Sequence, residues 1–131
     1  MGTAGNQAAG DSELWVEGDV VFVCRVGETT VEKAQALIDT VWETKLRHGR
    51  VYVVFDLTRM AAFPMEARKV MAESTRKNPP TAVACFGAGF TLRTITTLFA
   101  KAMQMAGVSM AFGSFRTEQQ ARTWIDAQKR Q

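Results

Sequence analysis

The chain has 131 residues, 47% hydrophobic and 22% charged, which suits one globular domain and excludes a low-complexity polypeptide. Its net charge of +3 is uneven: residues 1–65 carry six Lys and Arg against nine Asp and Glu, residues 66–131 ten against four. Arg68, Lys69, Arg76 and Lys77 are interspersed with Glu66 and Glu73, as on a solvated helix face, so nucleic-acid binding is not expected. No apolar run approaches the ~18 residues of a membrane span.

Residues 1–11, MGTAGNQAAGD, are small and polar without periodicity and read as a disordered tail ahead of a domain over 12–131. They lack the charged and apolar regions of a secretory signal. Glu13 to Glu17 and Val20 to Val26 read as strands joined at Gly18-Asp19, a hairpin turn. The second run, VVFVCRV, is apolar on both faces and belongs inside a sheet, with the first strand nearer an edge. Thr29 and Glu32 stand at capping-box spacing, and Ala34, Leu37, Ile38, Val41 and Trp42 follow at helical intervals until His48-Gly49.

Val51 to Phe55 predicts a buried strand ending at Asp56, followed by a loop and a helix from Pro64 to about Arg76. Thr81 to Phe86 is the next strand, and Gly87-Ala88-Gly89 opens a helix from Phe90 to Met105. Val108 to Phe112 predicts the last strand, and Thr117 with Gln120 a capping box on the final helix. The order β-β-α-β-α-β-α-β-α implies an α/β fold whose five-stranded sheet is mixed and mainly parallel, with four helices.

Cys24 and Cys85 lie in predicted strands among apolar neighbours and read as buried free thiols, which fits a cytoplasmic protein. His48, the one histidine, stands where it can cap helix carbonyls, and no clustered carboxylates join the cysteines as metal ligands. Neither a metal nor a cofactor is expected. The Gly87 to Arg93 stretch sits where an anion-binding turn would, but Leu92 occupies the place of the third fingerprint glycine and no Walker lysine follows. The helix Phe90 to Met105 has an apolar arc wider than one core face needs. Core packing is the expectation, with self-association as a homodimer or cover for an apolar ligand as alternatives.

The VVFDLT strand end and the closing segment, with Phe115, Thr117, Glu118, Gln119, Ala121, Trp124 and Ile125, resemble the STAS-like fold of anti-sigma-factor antagonists. The closest likeness is to the divergent SpoIIAA-like branch, over about residues 12 to 127. The resemblance implies a protein-binding, signalling role. In the signalling members a serine at the start of the second helix is phosphorylated. Here Pro64, Met65 and Glu66 occupy that region, without a hydroxyl. Glu66 admits two readings, a permanent phosphate mimic or an acid that suits a helix's first turn.

These readings converge on a non-catalytic interaction domain with an unidentified protein partner. Its candidate surface comprises Asp56, Thr58, Arg59, Met65, Glu66, Gly87, Gly89 and Arg93. The alternative is a carrier or sensor of an apolar or amphipathic small molecule beside the Phe90 helix. An enzyme using Asp56 with Arg59 and Arg93 is the third reading and is not expected.

Overall fold

Gly18 turns the chain at φ 62°, a left-handed value that glycine reaches without strain. Strands β1 (Ser12–Glu17) and β2 (Val20–Glu28) therefore pair antiparallel. The computed structural model describes residues 12–131, so the tail expected over residues 1–11 lies outside the described residues. Helix α1 (Val31–His48) starts one residue later than its capping box implied: Thr30, not Thr29, accepts from the Lys33 amide at 3.1 Å. The cause is tertiary. The Thr29 amide donates to the Ala62 carbonyl at 3.0 Å, which ties Thr29 to the neighbouring strand instead of the helix. At the other end Gly49, at φ 77°, closes α1 by donating its amide to the Lys45 carbonyl, so the closing bond is glycine's and not His48's.

Strand β3 runs from Tyr52 to Ala62, well beyond the predicted end at Phe55. Its first half pairs parallel with β2 as Val20↔Tyr52 through Cys24↔Asp56; the register then slips, and Val26↔Arg59 and Glu28↔Ala62 continue the ladder. An extra residue on β3 at each slip makes a bulge, and bulges bend a strand and re-aim its side chains. The stretch predicted as a loop is strand up to Ala62, leaving only Phe63 before Pro64, because β2 is long enough to pair with it. No β-rich run announced this.

Helix α2 (Met65–Lys77) follows Pro64, and β4 (Ala82–Phe86) pairs parallel with β3. Helix α3 (Phe90–Met105) leads to β5 (Ala111–Phe115), three residues later than predicted. Residues 106–108 are used in leaving α3: the amides of Gly107 and Val108 return to the carbonyls of Gln104 and Met103. Helix α4 (Glu118–Lys129) begins at the predicted capping box, with Thr117 accepting from the Gln120 amide and Gln120 answering. The sheet order is β1-β2-β3-β4-β5, antiparallel only at β1.

Alternation along the central strands divides the core. Val20, Phe22, Tyr52, Val54, Ala82 and Ala84 face α4 with its Ala121 and Ile125. Val21, Val23, Val51, Val53, Val83 and Cys85 face the side covered by α1, α2 and α3, where Leu37 and Val41 pack. Each valine, leucine, isoleucine or phenylalanine among them, fully buried, contributes roughly 1.5–3 kcal/mol. The closing segment that carries the family likeness is structural: Phe115 packs on Trp124 at 5.6 Å between ring centroids, while Ala121 and Ile125 are buried. Cys24 and Cys85 are buried and unbonded to each other, on strands separated by β3.

Core packing of the whole apolar arc of α3 does not hold. Only Ala100 and Met103 are buried, whereas Phe90, Leu98 and Met105 are 77%, 61% and 89% exposed. The helix rests on the sheet by a narrow strip of small and flexible residues, and its wide apolar arc continues into solvent.

Candidate functional site

The carboxyl ends of the parallel strands, where open α/β sheets place their ligands, form a rim. Asp56 sits there, half-buried, and its carboxylate accepts from the Thr58 amide at 3.0 Å, the Thr58 hydroxyl at 2.6 Å and the Cys24 thiol at 3.7 Å. The Thr58 amide lies at the first bulge, where the ladder is interrupted, and Asp56 satisfies it. The guanidinium of Arg59 reaches the Cys24 sulfur at 3.9 Å rather than Asp56. Gly87, at φ 78°, backs onto Thr58: a Cβ there would stand 2.5 Å from the threonine Oγ1. The structure thus gathers Asp56, Thr58, Arg59 and Gly87 into one cluster, with Cys24 added.

The other predicted residues stand apart from that cluster's hydrogen bonds. Met65 and Glu66 begin α2, exposed on the same sheet edge. Gly89 is the N-cap of α3 and offers no side-chain cap; Arg93 lies in the next turn, exposed and without an ion pair among the described residues. No group of three or more His, Cys, Asp or Glu able to hold a metal occurs among the described residues.

A second feature lies under the rim. Between the sheet and α1, α2 and α3 is a cavity of about 100 Å³ with an almost wholly apolar lining, including Leu37, Val53, Met71 and Phe112. Phe63, just past β3, and Phe99 of α3 meet with ring centroids 6.1 Å apart, and both line this space. Pro80 lines it near the amino end of β4, whereas Arg25 and Thr29 line it near the carboxyl end of β2.

Arg25 points to this face because it continues the alternation of Val21 and Val23. It is 5% exposed, and its one side-chain hydrogen bond among the described residues is to the Lys33 carbonyl at 3.3 Å. No carboxylate pairs with it among the described residues. Burial pushes its pKa down to about 10, which still leaves it charged at neutral pH. Thr29, 3% exposed, has a hydroxyl with no partner. Neither residue stood out as functional in the sequence. The signal for Arg25 was present, a lone cation in a strand otherwise apolar on both faces. For Thr29 there was none, because its role follows from a helix start that β3 dictates.

An open, mainly parallel sheet with loops and helix amino ends gathered at one edge places the chain in the α/β class of open-sheet domains. The SpoIIAA-like family model matches residues 20–126, and the chain belongs to that family. Among solved structures, an uncharacterized protein of the DUF3478 family from Shewanella loihica PV-4, with a SpoIIAA-like fold, is similar at TM-score 0.64 and 18% identity, covering 91% of this chain and 97% of that one. The anti-sigma factor antagonist SpoIIAA in its unphosphorylated form is similar at TM-score 0.56 and 15% identity, covering 88% of this chain and 97% of that one. At such identities the likeness is one of fold. No curated protein matches the sequence.

Proposed function

We propose that this chain is a non-catalytic regulatory domain that binds a protein partner in the cytoplasm, through the rim and the adjoining exposed side of α3. One observation carries the reading: Phe90 and Leu98 stand in solvent on α3, and Met65, also exposed, begins α2 on the same sheet edge. Several large apolar side chains in solvent on neighbouring helices point to an interaction surface. Family membership supports a regulatory role, and SpoIIAA itself is an anti-sigma factor antagonist. With Glu66 in the first turn of α2, control at that position does not run through a phosphoserine. The carboxylate of Asp56 is engaged by Thr58 and Cys24, which supports a structural role over acid-base work. No helix among the described residues is long and apolar enough to cross a membrane.

The test is affinity capture from the source cells with the wild-type chain and a Met65→Glu/Phe90→Glu double variant, both checked for unchanged melting temperature. A partner retained by the first and lost by the second supports the reading. Identical captured sets overturn it. Sedimentation of the two proteins tells whether the partner is a second copy of the chain.

The cavity specifically favours a second reading, that the domain carries or senses an apolar small molecule. A filled core would speak for the interaction module alone, and this core is not filled.

A further inference from the structure

A guanidinium inside a protein is costly unless an anion or a full set of acceptors meets it. Among the described residues Arg25 has neither: one backbone carbonyl at 3.3 Å is its hydrogen-bonded partner. The surroundings deepen the deficit. That carbonyl belongs to Lys33 in the first turn of α1, and the amino end of a helix carries a partial positive charge of its own. Thr29, two residues before the helix, brings a buried hydroxyl without a partner among the described residues. Both residues line the same cavity, at its end nearest the rim, and the remaining walls are almost wholly apolar.

The end at Arg25 therefore has donors and positive charge in excess, while the rest of the space is mostly apolar, with the hydroxyl residues Ser74, Thr75 and Thr96 at its wall. A water molecule can satisfy the Thr29 hydroxyl, but it brings no charge to Arg25. An apolar ligand can fill the body, but it leaves the guanidinium unanswered. A molecule that does both has an anionic head and an apolar tail. The planar fork of arginine matches the two oxygens of a carboxylate, and a neighbouring hydroxyl supplies a third donor to the same group.

We propose that the cavity is a binding site for an apolar carboxylic acid, its carboxylate held by Arg25 and Thr29 and its tail lying towards Pro80 between the sheet and helices α1 to α3. The inference rests on the reading of the cavity as a ligand site and adds to it the class of ligand. The tail passes beside Phe99 of α3, whose ring meets that of Phe63 at the border of the space.

The test is calorimetric titration of the full chain with octanoate and, separately, with 1-octanol, repeated on Arg25→Met and Thr29→Val. Octanoate is expected to bind wild type about tenfold or more tightly than the alcohol, the worth of a charge-assisted hydrogen bond. Each variant is expected to lose most of that preference while its affinity for 1-octanol stays within about twofold, and Thr29→Val keeps the shape of the original side chain. Unliganded Arg25→Met is expected to melt higher by about 5 °C, because an unpaired buried charge has become apolar. Equal affinities of wild type for acid and alcohol, or octanoate binding untouched by both substitutions, overturn the carboxylate assignment and leave the apolar site standing. Binding of neither molecule overturns the site together with its head group.

Discussion

At the scale of single residues, the charges divide into those that hold the fold and one that does not. Asp19, almost buried at the hairpin turn, receives Arg50 at 2.8 Å and Lys129 at 3.0 Å, which ties the start of β2 to the chain before β3 and to the end of α4. Burial alone would raise its carboxyl pKa, but the hydrogen bonds from Lys129 and Arg50 outweigh it and hold the group below its ordinary 3.8. Because the folded value is the lower one, the ionised carboxylate stabilises the fold above that ordinary value. The contribution drains away as pH falls through the folded value. Asp19→Asn is expected to cost about 1–2 kcal/mol near pH 7, with both partners partly exposed and screened. The difference should shrink as pH falls below 3.8, measured as urea midpoints of wild type and variant. A constant difference across that range would remove Asp19 from the acid sensitivity of the fold. Arg25 is the opposite case, a charge whose burial the fold does not repay, and this contrast directs attention to its cavity.

Elements show where local preference yields to its neighbours. The threonine pair at the start of α1 offers two caps one residue apart, and the bond from the Thr29 amide to Ala62 selects the second. Thr30→Ala is therefore expected to destabilise the protein by about 1 kcal/mol, and Thr29→Ala by much less, since its hydroxyl makes no bond. Paired denaturant titrations decide it, and equal losses would restore Thr29 as the cap. The β3 extension follows the same logic: Leu57 to Ala62 is strand because the second half of β2 lies beside it, and Asp56 supplies the acceptor that the bulge withdraws.

Across the whole molecule, the three helices on one face of the sheet are unequally held. Helix α1 buries Leu37 and Val41, whereas α3 buries only Ala100 and Met103 and spans the cavity with Phe99. Regions with few buried apolar groups open first. Amide hydrogen exchange is expected to be faster in α3, and in α2, which buries only Ala67 and Thr75, than in α1, and slowest in β2 and β3; protection of α3 equal to that of α1 would contradict a loose cover over the site. On the opposite face α4 works alone, helped by Trp15 stacked on Phe22 at 5.3 Å and by Arg122, 4.3 Å above the same ring. That face is complete without α3, so motion of α3 leaves half of the core undisturbed.

The sequence by itself determined the element order, the mixed sheet with β1 at its edge, the capping box of α4 and the family, because these rest on short-range periodicity and capping chemistry. It also marked the rim residues Asp56, Thr58, Arg59 and Gly87, which a strand end and a glycine turn deliver to one edge. Only the tertiary structure decided how far β3 runs, which threonine caps α1, and that half of the apolar arc of α3 faces water. It alone brought Arg25 and Thr29 to one end of an apolar space. The reason is common to all four: each depends on pairing or packing between segments distant in the chain, and no local pattern records which partner wins.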